Sequence, residues 1–176
     1  PVIAAVRNDE ELDRAAKSRV KIVFVVYGSI LTLQDICTRL HRADKLVFVH
    51  VDMIEGLRGD TAGLEYIRRT AAPAGVVTTR ASTVRNAKQL HFQTILRVFL
   101  LDSLSLETGV KNVLETKPDA VEIMPGIACR LIGQMEQKIS VPVIAGGLIK
   151  TKEQVLECLS DGAVAISTSN GELWEM

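Results

Sequence analysis

A chain of 176 residues that is 47% hydrophobic can bury one substantial core, and it is short for two; a single domain over residues 1–176 is expected. The 21 Lys and Arg balance the 21 Asp and Glu, so whole-molecule charge lends no support to polyanion binding. No run approaches the ~20 apolar residues of a membrane span, and the opening PVIAAVRNDEELDRA lacks a secretory leader's basic and long apolar regions, which makes a soluble cytoplasmic protein the simplest expectation.

Short β-branched runs alternate with helical patterns along the chain. The first predicted strand, Val2–Val6, ends at Arg7. The second spans Ile22–Val26 and is followed by Leu33, Ile36, Cys37 and Leu40 at helical spacing. The third, Leu46–Asp52, sits in VFVHVDMIEGL; residues two apart on a strand share a face, so His50 and Asp52 are expected to point the same way. The fourth, Gly75–Thr78, runs out at Arg80. The fifth, Ile95–Leu101, runs out at Asp102 and precedes a helical stripe of Leu106, Val110, Val113 and Leu114. The sixth, Ala120–Ile123, carries Glu122 in DAVEIMPG and precedes Leu131, Ile132, Met135 and Ile139. The seventh, Val143–Ala145, leads into AGGLI, and the eighth, Ala163–Ser167, into STSN. Cys37, Cys129 and Cys158 are too widely spaced for a zinc or redox motif and read as buried thiols.

Strands alternating with helices pair in parallel by right-handed crossovers, which leaves an open doubly wound sheet or a closed barrel. The count of strands and the lack of a protected edge strand favour a small (β/α)8 TIM-type barrel. Only TSNGELWEM follows strand eight, so the final helix is short or missing, and a chain terminus or a neighbouring subunit must cover the outer wall there. A homo-oligomer is expected on that ground.

In such barrels the working face lies at the carboxyl ends of the strands, and phosphate often binds the loops after strands seven and eight. Gly146 and Gly147 let backbone approach an anion closely, while Ser167, Thr168, Ser169 and Asn170 add hydroxyl and amide groups. Each half alone is more often a plain turn or helix cap; the pairing carries the phosphate expectation. His50, Asp52, Asp102, Glu122 and Arg7 are then the polar strand ends expected over a polyol, although Asp52, Asp102 and Arg80 would equally serve as structural ion pairs. Glu122, in a strand, requires a cation, a metal or a ligand hydroxyl nearby. The same groups would suit a barrel isomerase, epimerase or lyase acting on a small phosphate ester. Schiff-base chemistry is disfavoured, because the strand lysines, Lys21 and Lys45, stand at the opening positions of their strands.

Tyr66 to Leu101 holds no Asp or Glu but carries Arg68, Arg69, Arg80, Arg85, Lys88 and Arg97. This basic sector offers Arg80, Arg85, Lys88, Arg68 and Arg69 as candidates for RNA phosphates, and a solvated helix face plus a few core-facing arginines explains the charges as well. Aromatic residues for base stacking are scarce there.

Taken together, PVIAAVRN, HVDMIEGL, RVFLLDS, VEIMPGI, VPVIAGGLI and DGAVAISTSNGELW resemble the glycerol uptake operon antiterminators, the glycerol-3-phosphate-responsive GlpP-type regulators of bacteria. The resemblance implies a barrel that senses glycerol 3-phosphate, binds the leader of its mRNA, prevents premature termination and catalyses nothing, with no metal and no cofactor. By position it places Gly146, Gly147, Thr168 and Ser169 in the phosphate loops and His50, Asp52, Asp102 and Glu122 at the polar strand ends. The sequence departs from the family pattern at GIACRLIGQM, where Cys129 and Arg130 stand in place of an expected proline and lysine.

Overall fold

A computed structural model describes residues 1–126 and 130–176. Its eight parallel strands close in sequential order into a barrel. They are β1 (Val2–Val6), β2 (Ile22–Val25), β3 (Leu46–His50), β4 (Gly75–Thr78), β5 (Gln93–Phe99), β6 (Ala120–Met124), β7 (Val143–Gly146) and β8 (Ala165–Thr168). Among the described residues the helices are α1 (Asp9–Lys17), α2 (Leu33–Arg42), α3 (Thr61–Thr70), α4 (Ala81–Gln89), α5 (Ser103–Thr116), α6 (Arg130–Glu136) and α7 (Lys152–Ser160). None is long and apolar enough to cross a membrane.

The pleat of each strand divides the apolar residues into two cores. Ile3, Phe24, Val77, Ile95 and Ile144 fill the inside of the barrel. The larger core, with Val23, Val47, Val121 and Ile166 on strands and Leu12, Leu40, Ile67 and Ile132 on helices, lies between the barrel and its helical jacket. Side-chain caps set where the helices begin: Asn8 accepts from the Glu11 amide at 2.8 Å, and Thr151 and Gln154 form a reciprocal capping box on α7. At the amino ends of β2 and β3, buried Lys45 donates from Nζ to the carbonyls of Ser18 and Val20 at 2.7 and 2.8 Å.

Two strand ends depart from the sequence expectation for identifiable reasons. β3 stops at His50, because Val51–Met53 turn as a 3-10 helix. β5 ends at Phe99, one residue before its last bond to β6, from the Leu100 amide to the Met124 carbonyl at 2.8 Å, and Asp102 then accepts from the Ser105 amide at 2.7 Å as the N-cap of α5. Cys37 and Cys158 are buried, and burial pushes the Cys37 thiol up to about 12. Cys129 lies outside the described residues, as does the Arg130 side chain.

The final helix is indeed short, a single 3-10 turn at Leu173–Glu175. Trp174, only 1% exposed, closes the outer wall where β8 meets β1. Its indole Nε1–H donates to the Thr168 carbonyl at 2.9 Å, and the Arg14 guanidinium lies 5.9 Å from its ring centroid. Of the two covers that the sequence allows, the chain's own terminal turn provides this one. Trp174→Ala should therefore cost about 3–5 kcal/mol of stability in urea denaturation; a loss below about 1 kcal/mol would show that this turn does not seal the barrel.

Candidate functional site

On six strands the inward-facing row is apolar low in the barrel and turns polar or side-chain-free at the carboxyl end. The steps run Ala5 to Arg7, Phe48 to His50, Ile95 to Arg97, Ala120 to Glu122, Ile144 to Gly146 and Ala165 to Ser167. Register then decides which of these meet. Arg97 pairs with Glu122 across β5 and β6, and Gly146 pairs with Ser167 across β7 and β8.

Glu122 is wholly buried, with its carboxylate held from both sides. Arg97 Nε donates to one oxygen at 2.6 Å, and the Ser167 hydroxyl donates to the other in a short hydrogen bond. Ser167 is on β8 and Glu122 on β6, so the carboxylate must cross β7 to reach it. It passes over Gly146, where an added Cβ would stand 2.6 Å from Glu122 Oε1 and 2.5 Å from Ser167 Oγ. Gly146 is thus a packing requirement of the carboxylate, in addition to any closeness it allows an anion. Arg97 supplies the cation that a buried Glu122 needs.

Above this bridge lies a cleft of about 620 Å³, whose walls include Arg7, Arg97, Glu122, Gly147, Lys150 and Ser169. Its rim is the pair of loops after β7 and β8, and these are tied together. Thr168 Oγ1 donates to the Ile149 carbonyl at 3.1 Å and accepts from the Asn170 amide at 3.0 Å. Asn170 Nδ2 donates to the Lys150 carbonyl at 2.9 Å. The Thr168 hydroxyl is therefore a latch between loops, whereas Ser169 Oγ has no hydrogen-bond partner among the described contacts. Gly147 at φ 83° and Leu148 at φ 62° make the β7 turn left-handed twice in succession. Leu148, a bulky residue, is held there while 63% exposed, a strained conformation of the sort found at ligand-contacting loops. Arg7 is held by Glu11, from Nη2 to Oε1 at 2.6 Å.

The remaining expected residues lie elsewhere. Asp52 is in the 3-10 turn, where its carboxylate accepts from the Thr79 amide at 2.7 Å and from the Thr78 and Thr79 hydroxyls. It shares a separate cleft of about 450 Å³ with Arg58 and Arg80, and Arg80 Nε is 3.8 Å from it. Asp102, the α5 cap, borders a more apolar groove of about 440 Å³ with Phe99, Leu101 and Leu104. The basic sector is also divided. Arg68 and Arg69 both pair with Glu65, at 2.8 and 2.7 Å; Arg85 reaches Glu115 at 3.5 Å; Lys88 Nζ donates to the Lys117 carbonyl.

Two cleft residues escaped the sequence analysis as site residues. Arg97 was counted only within the basic sector, and its spacing of two from Ile95 places it inside the barrel as one of the core-facing arginines that sector allows. Lys150 follows the glycine turn directly and carries no motif beyond that position. Among the described residues, no group of three or more His, Cys, Asp or Glu is placed to hold a metal.

His50 is 2% exposed, and its Nδ1 has no hydrogen-bond partner among the described residues. Burial first, and the nearby Arg97 charge second, lower its pKa to about 4, against the pull of Asp52. The imidazole is therefore neutral at physiological pH.

Comparison with known proteins gives a consistent pattern. The family model of glycerol-3-phosphate responsive antiterminators matches residues 2–174. Protein YgcP of Escherichia coli (strain K12) is 34% identical over 176 residues, which is all of this chain and 92% of that protein. The crystal structure of a glycerol uptake operon antiterminator regulatory protein from Listeria monocytogenes superposes with a TM-score of 0.95 at 32% identity, covering 99% of this chain and 94% of that one. A glycerol uptake operon antiterminator-related protein from Thermotoga maritima gives a TM-score of 0.89 at 29% identity, with 99% and 98% covered.

Two outcomes follow from the buried groups. Gly146→Ala should destabilise by about 1–3 kcal/mol, because the new methyl displaces the Glu122 bridge. Gly133→Ala, on α6 with no neighbour nearer than 3.9 Å to the added Cβ, should be neutral or gain up to about 1 kcal/mol. Equal effects in chemical denaturation would remove the crossing as the reason for Gly146.

For His50, the unfolded imidazole titrates near 6.5 and the folded one near 4, so the unfolded state binds the extra proton between these values. Stability should accordingly fall as pH drops from about 6.5 to about 4, with up to roughly 3 kcal/mol from this residue. His50→Gln should flatten that part of the stability–pH curve; an unchanged slope would mean that the imidazole is protonated in place.

Proposed function

The chain belongs to the glycerol-3-phosphate responsive antiterminator family, and from that premise we propose that it is a cytoplasmic, non-catalytic regulator. Glycerol 3-phosphate binds in the mouth cleft, and its occupancy governs binding to an mRNA leader that would otherwise terminate early. The observation that carries this reading is the composition of one cleft. The β7 and β8 loops border it beside Lys150, and Arg97 with the buried Glu122 carboxylate forms its floor.

These groups divide naturally between the two ends of such a ligand. Lys150, Arg7 and the hydroxyl of Ser169 face the cleft as partners for a phosphate. The Glu122 carboxylate has no exposed surface and is already held by Arg97 and Ser167, so a polyol hydroxyl would meet this bridge through the Arg97 guanidinium, which lines the cleft and spends its Nε on the carboxylate. Because the carboxylate's charge is already compensated, an arriving polyol does not have to neutralise it. The alternative is an isomerase, epimerase or lyase of a small phosphate ester, and it would need the neutral imidazole of His50, which is buried and does not line the cleft, to come within reach of the ester.

Isothermal titration should give saturable binding of glycerol 3-phosphate and much weaker binding of glycerol. Lys150→Glu should weaken the ester at least about tenfold while leaving the fold intact. In fluorescence anisotropy the leader RNA should bind with a different affinity when the ester is present, and RNA should alter ester affinity by the same factor. Consumption of the ester during these incubations would establish the enzyme instead.

A further inference from the structure

The zero net charge conceals a polarity along the barrel axis. In this fold the helices run back against the strands, so their carboxyl ends gather at the amino-terminal end of the barrel, opposite the mouth cleft. The last turns of the first four helices are all basic: Arg14 and Lys17 on α1; Arg39, His41 and Arg42 on α2; Arg68 and Arg69 on α3; Lys88 on α4. The last turns of α5, α6 and α7 hold no basic residue.

Favourable placement against the helix dipole explains a cation at a helix carboxyl end, and it would act on every helix alike. It does not explain last turns that are basic on four consecutive helices and on none of the next three. Nor does it explain Arg19 and Lys21, which lie beyond the end of α1 in the segment leading to β2. The segments joining α1 to β2, α2 to β3, α3 to β4 and α4 to β5 contain Asp44 as their one acidic residue. On the opposite half Lys117 and Lys138 also follow their helices, but Asp119, Glu136, Asp161 and Glu175 outnumber them.

Not every cation in this half is available. Lys45 is turned inward onto two carbonyls, Glu65 offsets one of Arg68 and Arg69, and Arg39 is held by Asp13 at 2.5 Å. Lys17, Lys21 and Arg42 are exposed and have no ion pair among the described residues. Adjacent helices pack about 10 Å apart, so four consecutive helix ends make an arc of roughly 30 Å.

We propose that this crescent at the amino-terminal end of the barrel is the surface that holds the phosphate backbone of the RNA, at the opposite pole from the ligand cleft. The inference rests on the proposed regulatory function and adds where its polyanion sits. Phe92, an aromatic at this end, is buried, so beyond the exposed imidazoles of His41 and His91 the crescent offers charge and little base stacking. It supplies affinity that depends on salt and tolerates sequence, leaving sequence choice to RNA shape or to other contacts.

The test is fluorescence anisotropy of the leader RNA across a salt series, with the whole chain and glycerol 3-phosphate present throughout. The triple variant Lys17→Glu, Lys21→Glu, Arg42→Glu should bind at least roughly tenfold more weakly, with a log–log salt slope shallower by about 2. Ester affinity by calorimetry should be unchanged, and so should RNA binding by Lys152→Glu, an exposed reversal at the other pole. The neutral set Lys17→Gln, Lys21→Gln, Arg42→Gln gives the same slope readout if the reversed protein folds poorly. RNA binding by the wild type that survives both triple variants, or falls as much with Lys152→Glu, overturns the crescent and leaves the regulatory function standing. A wild type that binds no leader RNA at low salt, with or without the ester, overturns that function and the crescent with it.

Discussion

The carboxylate of Glu122 is the constraint around which the mouth of the barrel is arranged. A fully buried charge requires a partner and further hydrogen bonds, and both come from neighbouring strands. Register supplies the first by setting Arg97 beside Glu122. The second lies across β7, and it is reached only because residue 146 lacks a Cβ. One ion pair thereby dictates the residue type at four positions on four consecutive strands. The polar floor it creates is rigid before any ligand arrives, which lowers the ordering cost of recognising one.

The loops above that floor are fastened to it and to each other. The Gly126 amide donates to the Gly146 carbonyl, drawing the ends of β6 and β7 together. Thr168 and Asn170 bind the β8 loop to the β7 loop through the carbonyls of Ile149 and Lys150. Gln154, in the first turn of α7, accepts from the Lys150 amide at 2.7 Å and continues that fastening into the helical jacket. Against this fixed background, the left-handed Leu148 stands out as a residue held in an unfavourable conformation by its surroundings at the edge of the cleft.

The fold was legible because it rests on periodic patterns. Apolar runs spaced by helical stripes reveal eight strands. The pairing of the glycine turn with the Ser-Thr-Ser-Asn loop was legible for the same reason, since strand order alone makes them neighbours. The polar strand ends were less so. Asp52 and Asp102 look alike to a pattern of alternating residues, yet each sits just past a strand, where a carboxylate caps backbone amides. Arg97 was obscured in the opposite way: a cation in a basic stretch suggests surface, and only the parity of its position with Ile95 directs it inward. The unequal distribution of helix-end cations depends on which ends share a pole, and a one-dimensional charge count mixes the poles.

The proposed ligand cleft and the proposed polyanion surface lie at opposite poles, and coupling between them would need a physical connection such as residues 168–175, which run from one toward the other. This segment leaves the mouth at Thr168, whose hydroxyl latches the β7 loop and whose carbonyl accepts from Trp174. The Trp174 ring then lies against Arg14 in the last turn of α1, and Glu175 approaches Arg19 at 3.9 Å, both at the basic end. Gly171 lies between, so close to the Arg14 guanidinium that an added Cβ would collide with it. Coupling requires two arrangements of such an element, with the ligand favouring one. Within that segment the buried Trp174 ring is an anchor, and the fastenings open to exchange are the exposed Arg19–Glu175 pair and the Arg14 guanidinium beside the indole.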